Sequence, residues 1–144
     1  MKLTAHTFER LAQADSRFSR FDDRFNAFLQ RLTFFNESHC PVKGITIELV
    51  PTERRFTAKY RTVVVGFRMF FQLNAQGTTS ARVVCTLEEP YAEAIKASLG
   101  IFTFNAQGFT DLEVDQEGDP IELEEMAPEI VVHFIQLALA HGAA

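Results

Sequence analysis

The chain predicts a two-layer α+β domain spanning residues 1–144: a bent antiparallel sheet with a long N-terminal and a C-terminal helix packed on one face. Three observations carry this. Aromatic residues recur at helical spacing near the N-terminus, and apolar residues alternate with polar ones through the middle of the chain. The string Asn-Ala-Gln-Gly also occurs twice, at Asn74 to Gly77 and at Asn105 to Gly108, each time between apolar and β-branched runs.

The first element is a helix over roughly Thr7 to Phe35. Leu11, Ala14, Phe18, Phe21, Phe25, Phe28, Leu32 and Phe35 repeat at 3–4 spacing, which gathers them on one side. Arg10, Arg17, Arg20, Arg24 and Arg31 fall off that seam with Asp22 and Asp23 and read as a solvated face. Coiled-coil seams favour leucine and β-branched residues, whereas phenylalanines fill the wider gap between a helix and a sheet, so helix-on-sheet packing is expected.

Asn36 to Gly44 reads as a loop, and Ile45, Ile47 and Leu49 alternate with polar residues as a half-buried strand stopped by Pro51. Phe56 to Leu73 is strand-like throughout, but its apolar phase changes between Tyr60 and Val63. Extended, that stretch would run to nearly ~60 Å, so a break near Arg61-Thr62 must reset the faces. A three-residue loop, Ala75-Gln76-Gly77, then sets Phe71 opposite Ala81, Met69 opposite Val83, Phe67 opposite Cys85 and Val65 opposite Leu87. Gly77 and Gly108 are the residues expected at positive φ. The second copy places Phe102 opposite Leu112 and Phe104 opposite Thr110. Between the hairpins, Glu88-Glu89-Pro90 looks like a helix start, with a short helix through Ser98 ended by Gly100. Ile121 to Leu123 is a candidate extra strand, and the last helix begins near Pro128 and closes before Gly142.

The order helix, three strands, helix, two strands, helix resembles that of type III secretion chaperones. The resemblance rests on element order alone; it implies a small, acidic, dimeric, non-enzymatic protein and transfers no site residues.

Charge is uneven. Residues 1–96 hold all 14 Lys and Arg against 10 acids, a balance of +4, and residues 97–144 hold 9 acids and no Lys or Arg. Such asymmetry speaks to association, including with another copy of the chain. No apolar run reaches the roughly 20 residues that cross a bilayer, and charge interrupts the N-terminus too early for a secretory signal. With only Cys40 and Cys85, in different contexts, free thiols in the cytoplasm are the expectation.

Catalytic and metal signatures are not found. His39-Cys40 has no second ligand pair for zinc, and adjacency does not make a Cys-His dyad. His39, His133 and Cys40 are expected not to meet in one cleft. Asp115 to Asp119 departs from a calcium loop, since glycine falls at the fourth position. Arg54, Arg55, Lys59 and Arg61 beside Phe56 and Tyr60 mix basic and aromatic residues as nucleic-acid platforms do, but the acidity of the chain points away from nucleic acid. No catalytic residue, metal or cofactor is assigned.

The face opposite the core in the first hairpin is the candidate site. There Phe70 faces Arg82, Arg68 faces Val84, and Val64 faces Glu88, a mixture of large apolar groups and Arg enriched at protein interfaces. The expectation is a binding protein, chaperone- or adaptor-like, that forms a homodimer through this face, with another protein as a further partner. The alternative is an apolar small molecule held, with or without catalysis, in a cavity between helix and sheet lined by Phe18, Phe25, Phe67 and Phe71. Fifteen phenylalanines and no tryptophan would suit such a lining.

Overall fold

The computed structural model describes residues 5–90, 95–113 and 120–141. Helix α1 spans Thr7–Arg31 and tightens into a 3-10 turn over Leu32–Asn36. Five strands follow, β1 Ile45–Val50, β2 Arg55–Tyr60, β3 Val63–Leu73, β4 Thr79–Glu88 and β5 Ile95–Phe104, then helix α2 over Ala127–His141. The sheet is an antiparallel meander in sequence order.

Both helices lie on the same face, because their rings meet the same alternate residues of the sheet. Phe18 stacks on Phe71 at 4.6 Å, Phe21 meets Phe104 edge-on at 5.8 Å, and Phe28 meets Phe56 at 5.7 Å. From α2, Phe134 packs against Phe67 at 5.7 Å and Phe102 at 5.9 Å. The aromatic stripe of α1 is therefore core from Ala14 onward. Residues 5–13 are all exposed, so Leu11, expected in the seam, is 59 % exposed instead.

The first hairpin has the expected register at every pair from Val65↔Leu87 to Phe71↔Ala81. Asn74 explains why this turn is stable. Its Oδ1 accepts from the N–H groups of Gln76 at 3.0 Å and Thr78 at 2.8 Å, while its carbonyl accepts from Gly77. Asn105 repeats the arrangement with Gln107 and Phe109, and the two glycines have φ of +83° and +90°. The break near Arg61-Thr62 is a full chain reversal: Tyr60 pairs with Val63 and Arg61 takes φ +50°.

Three expectations change. The helix through Ser98 is not formed: Ile95–Ser98 belongs to β5 and pairs with Thr86, Leu87 and Glu88, while residues 91–94 of that expected helix lie outside the described residues. Ladder pairing overrides a local helix start here, a tertiary override of weak propensity. Two register shifts interrupt β4–β5, and Gly100 (φ +145°) lies inside the strand, 3.5 Å from the Phe134 ring at the position a Cβ would occupy. The element order that resembled secretion chaperones is accordingly absent. Secondly, the second hairpin closes with Phe104↔Thr110, but its ladder goes no further among the described residues. Asp111 Oδ1 takes the Thr103 N–H at 2.9 Å where a longer strand would continue. Ile121 to Leu123 contributes one bridge, Phe109↔Glu122, anchored by the buried Leu123.

The third change concerns the α1 arginines. Arg10 and Arg24, two heptads apart, donate to the carbonyls of Ala75 (2.9 Å) and Ala106 (3.1 Å), the same residue in each repeated turn. Arg17 donates to the Gly77 carbonyl at 3.3 Å. These side chains fasten both hairpin tips to the helix rather than forming a purely solvated face. Among the described residues no helix is long and apolar enough to cross a membrane.

Candidate interaction surface

With α1 and α2 on the inner face, the alternate residues of each strand point to an outer face that neither helix covers. Register defines its rows. One end carries Lys59, Val64, Glu88 and Ile95; the next row Thr57, Gly66, Thr86 and Ser98; then Arg55, Arg68, Val84 and Ile101; then Phe70, Arg82 and Thr103. All five residues singled out from the sequence, Val64, Arg68, Phe70, Arg82 and Val84, are thereby on one surface with the expected partners.

Phe70 is its aromatic centre. The ring is 38 % exposed and has the Arg68 guanidinium at 5.4 Å and the Arg82 guanidinium at 5.3 Å, one on its own strand and one across the ladder. Two cations on one ring use the negative π-faces and hold both side chains in place. Arg82 Nε is buried and has no hydrogen-bond partner among the described residues. A shielded N–H without an acceptor costs free energy until an acceptor arrives.

The opposite end carries Glu88. The Glu88 carboxylate lies over Gly66, where an added Cβ would overlap it, and Val64, paired with Glu88 across the ladder, is 7 % exposed. Glu48, Arg55, Thr57, Lys59 and Glu88 line a cleft of about 260 Å³ there, and Thr57 Oγ1 is buried without a partner among the described residues.

Two surface residues escaped the sequence reading. Ile101 is 54 % exposed beside Val84, and Ile95 is exposed beside Glu88. The helix expected through Ser98 hid Ile95, and without β5 expected beside β4 the sequence did not place Ile101 on this face.

Much of the basic-aromatic stretch of β2 is engaged within the chain. Phe56 is buried, Arg55 pairs with Glu53 at 2.5 Å, and Lys59 pairs with Glu48 at 3.2 Å. Arg54 grips Asp22 of α1 in a two-pronged bridge at 2.6 and 3.0 Å, with its guanidinium 4.8 Å above the Phe71 ring. The hydrogen bond to Asp22 raises the Arg54 pKa above its ordinary value against the opposing effect of burial.

Of the four phenylalanines expected to line a cavity, Phe25 and Phe67 belong to the buried core, and Phe18 and Phe71 are partly buried against it. Phe25 and Phe67 are buried against Phe56, at 6.3 and 4.5 Å, and Phe18 stacks on Phe71 at the rim. The thiol and imidazole groups are partly brought together. Cys40 and His133 line one cleft of about 300 Å³ with Phe34, Val42 and Val132, whereas His39 turns to Glu37 at 2.7 Å and is not among the residues of that lining. The Cys40 thiol donates to the Val42 carbonyl at 3.1 Å. Cys85 is fully buried, and burial pushes its thiol well above its ordinary pKa, which keeps it an unreactive thiol. Among the described residues no three His, Cys, Asp or Glu side chains gather as a metal site.

No family model, curated protein or solved structure matches the chain.

Proposed function

We propose that the chain is a non-enzymatic interaction protein, chaperone- or adaptor-like, that pairs with a second copy of itself through the outer face of the sheet. The observation that carries this is Phe70 between Arg68 and Arg82, with Arg82 Nε shielded and without an acceptor among the described residues. Aromatic and Arg side chains on an uncovered face are the kind of residue on which binding energy concentrates.

The layout of the face supports self-pairing. A two-fold axis lying between two copies and running across the strands, midway between the Gly66 and Arg68 rows, exchanges the two ends of the face. Under that operation Val64 meets Phe70 of the second copy and Glu88 meets its Arg82. Apolar then lies on apolar and acid on base, twice over. Five strands at about 4.8 Å spacing make a face roughly 24 Å wide, on the scale that stable pairs use. Buried, free Cys40 and Cys85 suit a reducing, cytoplasmic setting for this reading.

Sedimentation velocity of wild type and Phe70→Asp tests it. The expected result is a dimer for wild type at micromolar concentration and a monomer for the variant, with unchanged circular dichroism. A wild-type monomer at high micromolar concentration would remove the reading.

A further inference from the structure

A second polar feature lies away from the sheet's outer face, where the exposed beginning of α1 crosses the first hairpin tip. Arg10, Arg17 and Arg20 line an open cleft of about 520 Å³ together with Gln13, Gln76, Thr78 and Thr79. Among the described residues not one carboxylate is in that lining, in a chain whose net charge is −5. Arg17 and Arg20 are three residues apart and so neighbours on the helix surface, and Arg10 sits two turns earlier, about 10 Å along the axis.

Two of the three guanidiniums are already held. Arg10 Nη2 is fixed by the Ala75 carbonyl and Arg17 Nη1 by the Gly77 carbonyl, one N–H each, which leaves most of each guanidinium's donors to face the cleft. Held donors lose less freedom on binding than mobile ones. Three cations on one wall repel one another until a counter-charge arrives, and the guanidinium fork matches phosphate and carboxylate oxygens. The Gln13, Gln76, Thr78 and Thr79 side chains add neutral donors at the same place.

We infer that this cleft binds a small, multiply charged oxyanion, a di- or triphosphate or a polycarboxylate, across Arg10, Arg17 and Arg20. The site is separate from the sheet face proposed for self-pairing.

Calorimetric titration of the full chain with pyrophosphate and with citrate at low salt tests this. The expected result is saturable binding of at least one of them; tighter pyrophosphate binding identifies a phosphate ligand and tighter citrate binding a carboxylate one. Arg20→Gln is the informative variant, since Arg20 fastens no turn among the described residues and its loss leaves the hairpin tip in place. It should weaken binding roughly tenfold, as expected for one charge-assisted contact, with unchanged melting. Arg31→Gln, on the same helix but outside the cleft, should bind as wild type does. Absence of binding by both anions, or an equal loss in Arg20→Gln and Arg31→Gln, would overturn the inference.

Discussion

Gly77 and Gly108 occupy equivalent positions in identical four-residue strings, yet their surroundings differ. A Cβ on Gly77 would find nothing nearer than Arg10 Nη2 at 3.9 Å, whereas one on Gly108 would press on Glu122 Oε1 at 3.1 Å. That carboxylate cannot retreat freely, because it accepts from the N–H groups of Glu124 and Glu125 just before α2. Gly77→Ala should therefore cost about 1 kcal/mol, the left-handed penalty alone, and Gly108→Ala about 2 kcal/mol. Urea denaturation of both variants measures this; equal costs would contradict the contact argument. Cys85 makes a second prediction, in pH. Its folded pKa is raised above the ordinary value of 9.0 by burial, so the unfolded chain loses this proton first. Its contribution is complete below pH 9 and is lost as pH rises above it, at up to about 1.4 kcal/mol per pH unit. Cys85→Ala, although less stable overall, should show a shallower alkaline decline than wild type. Parallel alkaline slopes in the two proteins would show that Cys85 carries no such linkage.

At the scale of elements, α1 does more than cover the sheet. Arg10 and Arg24 grip the same carbonyl in the two repeated turns, and Arg54 ties the turn after β1 back to Asp22. Arg24 is half-buried, so Arg24→Ala should destabilise by about 1–2 kcal/mol, and the exposed Arg10→Ala by less. Thermal and urea unfolding of the pair decides this; a larger loss for Arg10→Ala would be contrary to it. Both hairpin registers at their turns were legible because Asn and Gly fix turn geometry within four residues, and the period-two pattern of Val65 to Phe71 permits one facing alone. The arginine clamps were not legible, since Arg10 and Ala75 are linked only by how the helix crosses the hairpin. Nor was β5: Glu88-Glu89-Pro90 carries a valid helix-start signal, and the register shifts that leave Leu99 and Lys96 unpaired blur the alternation of Ile95 to Phe104 that would have marked a strand.

For the whole molecule, two helices on one face of a five-stranded sheet leave its other face uncovered by either helix. The sequence placed Val64, Arg68, Phe70, Arg82 and Val84 together because a hairpin register determines both faces at once. It left out Ile95 and Ile101, which the meander brings alongside through β5. In the proposed dimer two copies pair here, with Glu88 of each against Arg82 of the other. A charge-swap experiment tests it most directly. Arg82→Glu sets two acids against each other twice in its own pair, and Glu88→Arg sets two bases against each other twice, so each variant alone should sediment as a monomer. Mixed in equal amounts, the two variants regain both opposite-charge contacts. The mixture should then sediment as a heterodimer at concentrations where wild type is dimeric; a mixture that remains monomeric there, or single variants that still dimerise like wild type, would rule this pairing out.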